Sequence, residues 1–143
     1  MAYESEFDDK TCFTSFEAEL ADIEKYYAND DKQKLIAVSN IDGTIVGCVA
    51  FRKLAPGVSE MKRLYVVPGY RGEKLGRMLA EAIIEKATSL GYQTMVLDTM
   101  MEMKAAQGLY RALGFENIPP YNFQQPLKVI CFGKTLNEKN KNL

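Results

Sequence analysis

Three glycines and three cations crowd the stretch Pro68-Gly69-Tyr70-Arg71-Gly72-Glu73-Lys74-Leu75-Gly76-Arg77. It follows a β-rich run and opens a helical pattern, so it reads as a strand-to-helix turn. The first N–H groups of a helix have no partner within that helix, and its dipole adds partial positive charge there. A pyrophosphate is a natural occupant of such a place. Arg71, Lys74 and Arg77 add formal charge, and the glycines permit close approach. Neither GxxxxGK[ST] nor GxGxxG is spelled by this spacing. The residues alone leave two readings open: a phosphate seat, or an ordinary turn with solvated cations.

The chain has no histidine, which excludes a Ser-His-Asp triad, a Cys-His dyad and any His-containing zinc site. Any acid or base is therefore a carboxylate, Tyr, Cys or Lys. Cys12, Cys48 and Cys131 are odd in number, far apart and outside any CxxC pattern. They read as buried apolar residues in a reducing cytoplasm rather than as a disulfide framework or metal site. With 18 Lys and Arg against 19 Asp and Glu, the net charge of −1 argues against nucleic acid as a partner. The first ten residues are acidic and lack an apolar signal core, and no run approaches the ~18 apolar residues of a membrane span. Neither export nor membrane insertion is expected.

These groups must be positioned by a single domain spanning residues 1–143, with a frayed tail at about 137–143. At 143 residues and 47% hydrophobic content, it is long enough to bury a core of its own. Phe16, Leu20, Ile23 and Tyr27 recur at helical steps and predict a first helix over about Ser15 to Tyr27, with Glu17, Glu19, Asp22 and Glu24 on its outer face. Strands are expected at Leu35 to Val38, Ile45 to Phe51 and Glu60 to Val67, separated by Asp42-Gly43 and Pro56-Gly57 turns. Three in succession suggest an antiparallel meander. Leu75, Met78, Leu79, Ala82, Ile83, Ala87 and Leu90 then keep helical spacing until Gly91. A short strand at Met95 to Leu97, a helix over Lys104 to Leu113 closed by Gly114, and a strand over Lys128 to Leu136 complete the order. The segment Glu60 to Leu97 is one parallel βαβ unit.

Leu64-Tyr65-Val66-Val67-Pro68-x-Tyr70-Arg71-Gly72-x-x-Leu75-Gly76 resembles the pyrophosphate motif [QR]-x-x-G-x-[GA] of the GNAT acyl-CoA N-acetyltransferases, preceded by their pantetheine-binding strand. Ala105-Ala106-Gln107-Gly108-Leu109-Tyr110-Arg111-Ala112-Leu113-Gly114-Phe115 resembles the same family's A-x-x-L-Y-x-x-L-G-F helix. A narrower likeness, to a bacterial small-molecule-type subgroup, runs through Glu60-Met61-Lys62-Arg63-Leu64-Tyr65-Val66 and Ile118-Pro119-Pro120-Tyr121. The resemblance implies an α/β (α+β) fold: a mixed, mainly antiparallel central sheet with helices on both faces. Two positions depart from it. Lys74 stands at the first glycine of the pyrophosphate motif, and Met103 stands where an asparagine is often found. Only a dozen residues precede Phe13, so the family's usual first strand is expected to be missing or supplied otherwise.

What the resemblance implies chemically is acetyl transfer from acetyl-CoA to a primary amine of a small molecule, amino acid or peptide, without an acyl-enzyme and without metal. It places the pantetheine arm along Leu64, Tyr65 and Val66, and the pyrophosphate on Arg71, Gly72, Glu73, Lys74, Leu75, Gly76 and Arg77. Tyr110 matches the tyrosine that protonates the leaving thiolate. Glu60 lies at the separation from Arg71 at which some members place a catalytic glutamate, which takes the amine proton directly or through water. Strict alternation puts Glu60 on the face of Leu64 and Val66, so this assignment calls for a β-bulge. Tyr121, Asn122 and Phe123 are the candidate acceptor-pocket residues, presented by a loop that Pro119-Pro120 stiffens. An alternative is a non-catalytic acyl-CoA-binding or sensing module. An exposed edge at Leu35 to Val38 or Lys128 to Leu136 offers a route to a homodimer.

Overall fold

The computed structural model describes residues 32–39, 42–70, 74–121 and 128–136. The first helix expected over Ser15 to Tyr27 lies outside them. The described elements are β1 (Gln33–Ser39), β2 (Ile45–Ala55), β3 (Val58–Val66), α1 (Leu75–Ser89), β4 (Thr94–Met100), α2 (Lys104–Ala112), β5 (Glu116–Ile118) and β6 (Val129–Thr135). They build a six-stranded sheet in the order β1-β2-β3-β4-β6-β5. Every neighbouring pair is antiparallel except β3 and β4, which are parallel, so the meander and the βαβ unit are both present. None of the described helices is long and apolar enough to cross a membrane.

Helix α1 buries Leu79, Ala80, Ile83 and Ala87, a stripe at three- and four-residue steps, while Glu81, Glu85 and Lys86 face solvent. The helix ends where Gly91 takes φ 95°, and the Tyr92 N–H donates to the Ala87 carbonyl at 3.1 Å. Helix α2 closes in the same way at Gly114, with φ 94° and the Phe115 N–H on the Tyr110 carbonyl. Both helices contribute to one core cluster with Val49, Phe51, Met61, Leu64, Met95, Leu97 and Phe132. Each large aliphatic side chain buried there contributes roughly 1.5–3 kcal/mol.

Two irregularities of β3 shape the site. Cys48 pairs with Tyr65 but Ala50 pairs with Lys62, so two residues, Arg63 and Leu64, stand opposite Val49. Arg63 takes φ 61° at this bulge. Beyond it, Leu64 and Val66 join the core cluster, while Tyr65 and Val67 pack with Cys48 in a separate one. Met61 lies in the core, so its neighbour Glu60 faces the other way, opposite to Leu64 and Val66, as the assignment of Glu60 required. The second irregularity is that β3 and β4 are laddered only from Val58–Thr94 to Glu60–Val96. Past that pair β3 continues to Val66 along β2, and β4 to Met100 along β6, with no ladder between them.

The expected edge at Lys128 to Leu136 is not an edge. β6 lies between β4 and β5, a strand too short to show in the sequence pattern. β1 is the outer strand at the other end of the described sheet.

Candidate active site

Glu60 is 5% exposed at the last rung of the β3–β4 ladder. A buried carboxylate needs partners, and among the described residues it has two. The Tyr121 hydroxyl donates to Oε2 at 2.5 Å, and Lys62 Nζ lies 3.4 Å from the same oxygen. The Lys62 side chain is 34% exposed, so water screens its contribution. Among the described residues no hydrogen bond falls on Oε1.

Tyr110 is 1% exposed on α2, its ring edge-on to Phe115 at 5.9 Å and tilted against Phe132 at 6.0 Å. Burial, and then the negative charge of Asp98, push its phenol well above the ordinary range. The phenol therefore stays protonated at neutral pH. Tyr121 is shifted the same way by burial, then by its hydrogen bond to Glu60 and the Glu60 charge, with smaller contributions from Asp98 and Cys131.

Asp98 thus acts on both phenols, and sequence reasoning missed it. It pairs with Cys131 in the β4–β6 register, two residues beyond Val96, the partner of Glu60. Ending the strand at Leu97 hid it. Continuing the alternation through Thr99 and Met100 would have put Asp98 on the face of Val96. Gln107 was also missed. It is 2% exposed, and its amide donates to the Met100 and Met101 carbonyls at 3.1 and 2.8 Å. That fixes α2, and Tyr110 with it, to the end of β4.

Of the expected pyrophosphate loop, Arg71, Gly72 and Glu73 lie outside the described residues. Lys74 takes φ 63° and ψ 22° at the N-cap of α1, the left-handed conformation a glycine adopts readily. Among the described residues no side chain caps this helix end, and no acidic residue occupies its first turn. The N–H groups of Leu75, Gly76 and Arg77 are the ones a helix leaves without internal partners. Gly76 sits against Val66 and Leu109, so the helix start adjoins both the end of β3 and the Leu-Tyr pair of α2. Arg77 is paired with Glu81 at 3.2 Å along the helix surface. Leu64, Tyr65 and Val66 line β3 past the point where it leaves β4. Met103 is a core residue, 1% exposed. Tyr121 is brought to Glu60, while Asn122 and Phe123 lie outside the described residues.

The family model for the acetyltransferase (GNAT) family matches residues 2–115. Over 131 residues the chain is 38% identical to an uncharacterized N-acetyltransferase of Schizosaccharomyces pombe, a match covering 91% of this chain and 79% of that protein. Matches to two other curated relatives are shorter: 77 residues at 36% identity, covering 54% of this chain and 36% of an uncharacterized N-acetyltransferase of Dictyostelium discoideum, and 85 residues at 35% identity, covering 59% of this chain and 56% of an IAA acetyltransferase of Azospirillum brasilense. A putative acyl-CoA N-acyltransferase from Klebsiella pneumoniae superposes with a TM-score of 0.72 at 28% identity, over 86% of this chain and 90% of that one. A phosphinothricin acetyltransferase of Sinorhizobium meliloti, solved with acetyl-CoA, shares the fold at TM-score 0.70 and 20% identity, over 85% and 70% of the two chains.

Proposed function

Because this chain belongs to the acetyltransferase (GNAT) family, we propose that it transfers acetyl from acetyl-CoA to a primary amine of a small molecule, amino acid or peptide by direct attack in a ternary complex. The observation that carries the reading is the parting of β3 from β4 immediately after the pair Glu60–Val96, with a clamped carboxylate at the point of divergence. The left-handed Lys74 and uncapped start of α1 fit a pyrophosphate, and the laddered strands end where an extended arm fits beside β3. Leu64, Tyr65 and Val66 would hold the pantetheine arm, and the turn from Arg71 to Arg77 the pyrophosphate. The thioester supplies an activated acetyl group.

In this reading Glu60 takes the proton of the incoming amine, directly or through one water. Backbone N–H groups of β3 polarise the acetyl carbonyl. Tyr110 gives its proton to the departing thiolate, and burial together with the Asp98 charge keeps the phenol protonated until then. The remainder of the acceptor lies against the loop carrying Tyr121, Asn122 and Phe123. Cys48 and Cys131 are buried thiols rather than halves of a disulfide, which supports a reducing compartment such as the cytoplasm. β1 at the end of the described sheet is the edge through which a homodimer would pair.

Calorimetry with acetyl-CoA, followed by free-thiol release over a panel of small amines, amino acids and peptides, tests the reading. Binding with amine-dependent thiol release is expected. Binding with no release on any amine would leave a non-catalytic acyl-CoA module, and no binding would overturn both.

A further inference from the structure

The loop that carries Tyr121 follows β5, and two strands, β6 and β4, separate β5 from β3. Three strand spacings are about 14 Å, roughly twice what a tyrosine side chain reaches. The Glu60 side chain and the hydrogen bond cover part of that distance, and the fields of Cys131 on β6 and Asp98 on β4 at the Tyr121 phenol put its side chain over the face of those two strands. Two consecutive prolines hold the chain extended just before Tyr121. The result is a 2.5 Å hydrogen bond between groups 61 residues apart. Its donor falls on Oε2, as does the Lys62 ammonium, and Oε1 receives neither.

We infer that Tyr121 is a positioning residue: its hydroxyl holds Oε2 of Glu60 so that Oε1 is presented to the amine. This rests on the reading of Glu60 as base. The phenol transfers no proton in the step. The N–H bond of the amine breaks and Oε1 takes the proton; the nitrogen lone pair forms the bond to the acetyl carbon, the C–S bond breaks, and CoA leaves as the thiolate that Tyr110 protonates, while Tyr121 Oη–H stays on Oε2. Lys62 cannot replace the phenol, because a flexible, partly exposed ammonium at 3.4 Å fixes neither the rotation of the carboxylate nor its distance. A pocket-wall role for Tyr121 would instead act on the acceptor and depend on the ring rather than on the hydroxyl.

The two roles separate in a double-mutant cycle of Tyr121→Phe and Glu60→Gln, read as kcat and as KM for the amine. Tyr121→Phe is expected to lower kcat about tenfold, the scale of one hydrogen bond to a charged group, with amine KM and Tm unchanged. In the Glu60→Gln background the same substitution should do nothing further, since it acts only through that carboxylate. Additive losses, or a loss confined to amine KM, would overturn the inference while leaving Glu60 as base. Unchanged turnover in Glu60→Gln alone would instead remove the base reading. If Tyr121→Phe lowers Tm, Tyr121→His, which keeps a donor, decides: the inference expects it to recover part of kcat, and kcat no better than that of Tyr121→Phe overturns it.

Discussion

Replacing Tyr110 by Phe removes one oxygen and leaves the ring. That ring supplies the packing: it is 1% exposed and meets Phe115 and Phe132 at centroid distances of 5.9 and 6.0 Å. Truncation to Ala at such a site costs about 3–5 kcal/mol and tests only folding. The Phe variant keeps those contacts, so its stability should change by no more than about 1 kcal/mol, the net size of one polar interaction. On the catalytic side, a positioned general acid contributes about 10²–10⁴-fold, so kcat should fall at least about a hundredfold. Calorimetric affinity for acetyl-CoA should stay the same. Thiol release measured across pH should show a uniform drop, because burial first and Asp98 second keep this phenol protonated far above the ordinary range. An acetyl thioester of a more acidic thiol needs less protonation on leaving, and should restore much of the rate. Unchanged kcat, or equal losses with both thioesters, would remove Tyr110 from proton donation and leave it a core aromatic.

Three further outcomes are expected from the surroundings of the site. A Cβ on Gly47 would stand 3.0 Å from Leu79 Cδ1 and 3.1 Å from the Tyr65 carbonyl oxygen, so Gly47→Ala should cost about 1–3 kcal/mol and raise the KM for acetyl-CoA by displacing β3; an unchanged Tm refutes this. Lys74→Gly relieves about 1–2 kcal/mol of left-handed strain against about 0.5–1 kcal/mol of added chain entropy, so thermal unfolding should shift upward, and a lower Tm would show that Lys74 is held by contacts worth more than the strain. Because Tyr110 and Tyr121 are both raised above the ordinary phenol, unfolded phenols ionise first as pH climbs through about 10. Stability is therefore complete below that pH and lost above it. Unfolding followed over alkaline pH should show a shallower loss in the Tyr110→Phe, Tyr121→Phe double variant, and equal slopes would refute the linkage.

Helix ends were legible because Gly91 and Gly114 take the positive φ their type suggests. The edges of strands were less so. β2 runs past Phe51 to Ala55 through Arg52, Lys53 and Leu54, whose half-solvated hairpin end carries no apolar pattern. β5 has three residues, below any period, and missing it turned an interior strand into an apparent edge. At the site, the prolines before Tyr121 led to the expectation of an acceptor-pocket residue. Its bond to Glu60 was not legible, since local pattern says nothing about a partner 61 residues away. The bulge was demanded by the role given to Glu60, but its position at Arg63 bears no glycine to mark it.

That bulge is what lets one strand serve two purposes. An unbroken β3 would send Glu60 and Leu64 to the same face, so either the carboxylate would enter the apolar core or Leu64 and Val66 would leave it. The first puts a charge in low dielectric without partners; the second exposes two large side chains that the cluster with α1 requires. A left-handed residue at Arg63 costs on the order of 1–2 kcal/mol, less than either alternative. In the proposed reading, the base of this chain without histidine is Glu60, a carboxylate only 5% exposed. Here Tyr121 and Lys62 both meet Oε2, and among the described residues no hydrogen bond falls on Oε1. The strain at Arg63 and the reach of Tyr121 across the sheet are therefore two halves of one arrangement. Altering the bulge should disable Glu60 even with both Tyr121 and Glu60 intact.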